Sequence, residues 1–375
     1  VTRTVWASLL ALALALALAA CGPQTPVRAP AYHADNPETL SAWGQFVRTG
    51  ETIALSEGVT PYDLNTPLFT DYAQKFRTIW MPEGAAAGYR DGEVLDFPVG
   101  TVITKTFYYP EGASGAVLKS SGAPQGERLD LSAVRLIETR LLIRDADGWR
   151  ALPYVWNADE SDAVLMRGGA VERLTLADAD ASPRDFAYIV PDANQCAGCH
   201  AVNNTTRRIE PIGPKPRNLN KAYAFDDGAR NQIARLIEQG RLINAPDLSE
   251  IPRLANWRDA SEPLNARARA YLDVNCAHCH NPWGPADTSG LHLNVEAPVG
   301  PNLGLCKPPI AAGRGSGGLR FSLVPGAPER SILLHRMISD EPDVMMPEIG
   351  RALAHAEGVA LIEAWIGSLD GGCPA

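Results

Sequence analysis

Residues 134–156 read VRLIETRLLIRDADGWRALPYVW. Two runs rich in β-branched and aromatic residues, 134–144 and 148–156, flank an Asp145-Ala-Asp-Gly148 turn signal. In the first run Ile137, Thr139, Leu141 and Ile143 alternate with Glu138, Arg140 and Leu142, as a half-buried strand should. Upstream, residues 101–109 (TVITKTFYY) have the same character. These stretches predict a β-rich domain over 39–190, built as a sandwich or a barrel. A short amphipathic helix is expected near its start, over 39–47.

The chain has 375 residues, enough for two or three domains at about 100–200 residues each. Apolar residues make up 45% and charged residues 21%, which argues against whole-chain disorder. The formal net charge of −9 argues against a broad nucleic-acid footprint, which needs a basic surface. The 33 glycines and 30 prolines imply many turns. Seven cysteines are too few to staple a scaffold of this length.

Residues 1–20 (VTRTVWASLLALALALALAA) carry one early positive charge, Arg3, then an apolar run from Ser8 to Ala20. About 20 apolar residues are needed to span a bilayer, so the run fits the apolar region of a secretory signal better. Leu18-Ala19-Ala20-Cys21 resembles the bacterial lipoprotein cleavage box. That resemblance implies cleavage before Cys21 and lipidation of its thiol and new amino group, with several acyl chains for stable anchoring. An ordinary signal peptide with Cys21 incidental is the alternative. Gly22 after the cysteine favours the outer membrane, by resemblance to enterobacterial sorting. Residues 21–38 then read as a Pro-rich tether. The mature chain is expected to be exported, periplasm-facing and lipid-anchored.

Composition shifts after Pro191. A helix is expected over 226–240, with Ala229, Ile233, Leu236 and Ile237 on one face and Gly240 at its end. Residues 246–262 read as a linker. A helix over 263–274 carries Leu264, Ala268, Tyr271 and Leu272 at helical spacing, and one over 354–368 carries Val359, Ile362, Trp365 and Ile366. The fold class is therefore α+β and multidomain, with a mainly α unit over 263–375 following the β-rich one.

One motif occurs twice: Cys196-Ala-Gly-Cys199-His200 and Cys276-Ala-His-Cys279-His280. Cys-x-x-Cys-His is the attachment signature of c-type haem. Two thiols one turn apart add to the vinyl groups of one haem, and the adjoining histidine reaches the iron axially. Two covalent haem c groups are expected, one in segment 191–250 and one in the C-terminal unit. A four-cysteine zinc site normally has pairs about 15–20 residues apart, unlike these. A thioredoxin-type redox pair leaves the two histidines unexplained and lacks its βαβ surroundings.

The second motif has the surroundings of a class I cytochrome c. A helix leads into Cys276, a long loop reaches Val344-Met345-Met346-Pro347-Glu348, and a terminal helix closes the unit. Met346 or Met345 can supply a thioether as sixth ligand, which raises the reduction potential. Met346 is preferred because cytochromes of this class often show Met-Pro. Met337 is the reserve, although its apolar neighbours suit packing. The first motif lacks a leading helix and has no nearby Met or second His. Its sixth ligand comes from elsewhere or is absent. Met166 is the first choice, since it adjoins in the β domain. Met81, His33, His278, His292, His335 and His355 follow; Lys215 and Lys221 are poorer ligands when protonated.

Three further features complete the reading. Lys105 shares a strand face with Ile103 and Phe107, and a β domain ending in Cys-x-x-Cys-His faintly resembles cytochrome P460, in which a lysine is cross-linked to haem; a snorkelling lysine is the alternative. Cys306 and Cys373 fall in the second unit and are expected to form a disulfide in an oxidising compartment. Arg314 among glycines lacks the spacing of a phosphate loop.

The segments PYDLNTPLF (61–69), FPVGTVITKTFYYP (97–110), ALPYVWNAD (151–159), NQCAGCH (194–200), PIGPKPRNLN (211–220), CAHCHNPWGPADTSGL (276–291) and GLCKPPIAAGRGSGG (304–318) resemble a family of bacterial di-haem c-type cytochrome lipoproteins. That resemblance implies a β-rich N-terminal domain and two haems. Electron transfer with redox partner proteins is the expected function. The alternative is a haem enzyme, with the first haem open for small-substrate oxidation or peroxide reduction and the second as relay.

Overall fold

The computed structural model describes residues 28–112, 114–120, 126–178, 181–310 and 312–374. The expected signal segment, Cys21 and the start of the tether lie outside them.

Six strands form the central sheet: β1 (Val59–Tyr62), β2 (Gln74–Trp80), β3 (Val102–Pro110), β4 (Val134–Asp145), β5 (Gly148–Trp156) and β6 (Ala163–Leu165). Each pairs antiparallel with the next, giving an up-and-down meander. Its edge strands β1 and β6 do not pair with each other among the described residues, so the sheet is open and not a closed barrel. Alternation along β3 sends Val102, Thr104, Thr106 and Tyr108 to one face and Ile103, Lys105, Phe107 and Tyr109 to the other.

The first face packs on the strands Phe46–Thr49, Thr52–Leu55 and Arg128–Asp130 through Phe76, Tyr108, Leu136, Ile53 and Leu129. Leu40 and Trp43 cover its other end, against Val102, Leu141 and Tyr154. The helix expected over 39–47 is here only a single 3-10 turn, Leu40–Trp43, followed by a strand. Gly44, at φ 63°, ends the turn, and backbone carbonyls crowd its Cα so closely that a side chain would not fit.

The second face meets the rest of the chain. At one end Phe107, Tyr109 and Ile137 pack against a hairpin, β7 (Ala170–Asp178) and β8 (Ala181–Val190). At the other, Tyr62, Ile79 and Ile103 share a core with Leu219, Ile233, Leu236 and Ile251. The segment over 191–250 therefore shares the β-domain core. Helices in this region are α1 (Ala193–His200), α2 (Pro216–Leu219) and α3 (Gln232–Glu238). The helix expected over 226–240 begins later, because Ala222–Phe225 and Gly228–Asn231 form a hairpin around Asp226-Asp227. Asn231 then caps α3 through the amides of Ile233 and Ala234.

The C-terminal unit holds α4 (Leu264–Asn275), α5 (Ile332–Ile338) and α6 (Ala356–Gly367). The outer two lie within two residues of their expected bounds. Its core joins Ala268, Tyr271 and Leu272 of α4 to Leu361, Ile362, Trp365 and Ile366 of α6, with Leu334 and Met337 of α5. Trp365 donates to Asn265 at 2.9 Å. Gly358 lets α6 approach α4, since a Cβ there would overlap the Tyr271 hydroxyl. The stretch expected to be a linker, 246–262, instead buries Ile251, Leu254, Ala255 and Trp257 between the units. Cys306 and Cys373 are joined in a disulfide, Cα–Cα 5.2 Å.

Candidate functional site

The first motif is helical. Asp192 accepts from the amides of Asn194 and Gln195, and the Gln195 side chain accepts in return from the Asp192 amide at 3.0 Å, a capping box that starts α1. Cys196, Cys199 and His200 then fall within one turn and its neighbour on the same helix side. His200 Nδ1 lies 2.7 Å from the Glu210 carbonyl. That contact, with Nδ1 as the donor, leaves Nε2 as the metal-binding nitrogen, the usual way a ligating imidazole is oriented.

The second motif continues from the end of α4, with the Cys276 amide bonded to the Leu272 carbonyl and the His280 amide to the Cys276 carbonyl, both at 2.9 Å. His280 Nδ1 faces the Ser289 hydroxyl at 3.2 Å, again leaving Nε2. Helix α6, packed across α4, closes the unit behind Cys276.

The two motifs, far apart in sequence, meet in space. Cys279 Sγ lies 3.7 Å from the Gly198 carbonyl oxygen. Gly198 is flush against the loop after Met346, since a Cβ there would sit 2.6 Å from Ile349 Cδ1. One cavity of about 990 Å³ runs between them. Cys196, Cys199, His200, Cys276, His278 and Met346 are in its wall, together with the second face of the sheet, whereas Cys279 and His280 lie outside its lining. Its size is at the upper end of the ~300–1,000 Å³ of small-molecule sites.

Burial holds the thiols and imidazoles of both motifs in their neutral forms. Burial pushes the Cys276 and Cys279 thiols up to about 12 and raises Cys196 and Cys199 as well. Among the described residues no three His, Cys, Asp or Glu side chains converge on one metal position, as a four-cysteine zinc site requires. Burial pushes His200 down to about 3 and His280 to about 4, keeping both imidazoles neutral.

Of the expected sixth ligands, Met346 is in the cavity wall and Met345 is not. The Met346 carbonyl accepts from Arg351 Nε and Nη2 at 3.1 and 2.9 Å, and the Met346–Pro347 peptide is cis. Met337 also reaches the cavity, from within the apolar core. Met166 is 39% exposed and outside the cavity wall. Met81 is buried in the sheet core, and His33 packs edge-on against Trp43 far along the chain. His278, His292 and His355 are in the cavity wall. His355 is bonded to the Tyr271 hydroxyl at 2.9 Å and stacked on Phe69 at 4.1 Å. His278 is buried. Lys221 is engaged with Asp63 at 2.7 Å.

Lys105 does point into the cavity, beside Cys199 and His200, and burial pushes it down to about 7. Sequence reading missed its companions Lys75, Arg77 and Arg140, which share its sheet face and the cavity. Comparison with family models, with curated proteins and with solved structures found no match.

Proposed function

We propose that this chain is an exported, lipid-anchored di-haem c-type cytochrome that transfers electrons. The supporting observation is the approach of two Cys-x-x-Cys-His motifs far apart in sequence, with Cys279 Sγ 3.7 Å from Gly198 O and with Cys196, Cys199, His200 and Cys276 in the wall of one cavity. Haem bound at each motif supplies an iron that cycles between ferric and ferrous states.

The chain's own residues do the rest. Cys196 and Cys199, and Cys276 and Cys279, each present a protonated thiol pair for thioether formation. His200 and His280 would supply Nε2 to the iron, with their rings held by Glu210 and Ser289. Met346 offers a neutral thioether, which favours the ferrous state. The apolar core of α4 and α6 excludes water behind Cys276. The first site, facing a cationic sheet and offering no methionine of its own segment, supports a second reading in which it is the reacting centre and the second site the relay. The net charge of −9 suits a redox partner with a basic contact patch. Lipid at Cys21 would hold the protein at the outer membrane, facing the periplasm.

Expression with periplasmic haem maturation tests the proposal. The intact mass should exceed that of the chain by two haems. Cys196→Ala/Cys199→Ala and Cys276→Ala/Cys279→Ala should each lose one. Colourless protein of unmodified mass refutes the reading.

A further inference from the structure

Arg77, Lys105 and Arg140 stand directly opposite one another on the adjacent strands β2, β3 and β4. Lys75 lies on the same face, two residues before Arg77. All four reach the cavity beside the first motif. Like charges opposite one another in a sheet destabilise it, and a buried charge is costly unless paired.

The protein compensates only in part. Glu138, fully buried, takes Arg140 in a bidentate pair at 2.8 and 2.5 Å and also accepts from Tyr188. Asp63 takes Arg77 at 3.2 Å but is shared with Lys221. Lys75 donates to the Ala73 carbonyl at 2.8 Å. Lys105 has no hydrogen bond or ion pair among the described residues. The buried Phe107 ring receives three of the cations, with Lys75 at 5.6 Å, Lys105 at 5.1 Å and Arg140 at 4.3 Å from its centroid. Two carboxylates therefore serve five basic side chains, counting Lys221.

We propose that this row binds a small inorganic oxyanion on the cavity side that faces the first haem position. The inference rests on the haem reading above and gives the first site a ligand class. Lys105 and Arg140 line the same cavity as Cys196, Cys199 and His200. The row is therefore placed for an exchangeable anion beside the first motif.

The test uses ferric holoprotein whose two haems have been counted by mass. Sodium nitrite is titrated at constant ionic strength and read by the Soret shift, with imidazole as a neutral ligand for comparison. Wild type should give a saturable nitrite shift. Lys105→Gln, which orphans no partner, should weaken nitrite by about tenfold, the loss of one charge-assisted hydrogen bond, and leave imidazole unchanged. Lys105→Arg should restore nitrite binding. Equal nitrite affinity in wild type and Lys105→Gln overturns the proposal, as does a two-haem wild type with no nitrite response. A chain without haem overturns the underlying reading as well, so the two failures are distinguishable.

Discussion

Asp71 joins the β-rich unit to the loop that presents Met346, and its protonation should set how firmly. The residue is 2% exposed. Its Oδ1 accepts from the amides of Ala352 at 2.8 Å and Leu353 at 2.7 Å. The preceding Arg351 holds the Met346 carbonyl. Burial outweighs these bonds and pushes the Asp71 carboxyl up from 3.8 to about 6. A folded-state value above the unfolded one means that the folded chain holds the proton over a range where the unfolded chain has released it. Stability from this group is thus fully present below about pH 4 and is lost as pH rises through about 6. Two pKa units correspond to about 3 kcal/mol. Asp71→Asn can keep Oδ1 as the acceptor and carries no charge. It should therefore remove this component of the pH dependence and be more stable than wild type at about pH 7.5, by at most about 3 kcal/mol. Asp71→Ala leaves two buried amides without an acceptor, at about 1–3 kcal/mol each. Urea denaturation of the three holoproteins from about pH 4 to about pH 8 measures this. If wild type and Asp71→Asn change stability in parallel across that range, or Asp71→Ala matches wild type throughout, the argument fails.

Met346→Ala should lower the potential of the second centre and abolish its sulfur–iron charge-transfer band, whereas Met345→Ala should preserve both; potentiometry and near-infrared spectra decide. Gly198→Val should cost about 1–3 kcal/mol through the clash with Ile349 and slow electron exchange between the centres, read by flash photolysis. Cys306→Ala/Cys373→Ala opens a loop with a sequence separation of 67 and should cost about 4 kcal/mol by the chain-entropy relation, measured in urea.

The central strands were legible because their alternation is local: β4 and β5 fall within a residue of the runs read from sequence. Helices α4 and α6 were legible for the same reason, their apolar faces repeating at helical spacing. The start of α1 carried a readable signal that the sequence analysis did not use, the Asp192-x-x-Gln195 capping box. The hairpin before α3 was also signalled, by Asp226-Asp227-Gly228 with Tyr223 and Phe225 alternating ahead of it. The cationic row was not legible as a row. Lys75, Arg77, Lys105 and Arg140 come from three strands well separated in sequence, and only the pairing register places them opposite one another. The apolar residues in the expected linker misled for a related reason, since Leu254 and Ala255 are buried against Leu68 of the β-rich unit together with α4, and Trp257 against the core of the C-terminal unit.

The two sites differ in how far their surroundings agree with folding. Around the second motif every level points the same way: apolar helix faces, a close glycine contact and a tryptophan with its indole N–H satisfied. A rigid, low-dielectric shell of that kind reorganises little when charge changes, which suits electron exchange. Around the first motif the sheet keeps cations where apolar side chains of similar volume would be neutral or stabilising. Glu138 and Asp63 relieve only part of that repulsion, and Phe107 offsets a little more. A central sheet face that retains net positive charge at a cost to stability is where local rules yield to function. On the proposed haem reading this asymmetry gives the two centres different work, the second suited to relay and the first to a charged molecule from outside the chain.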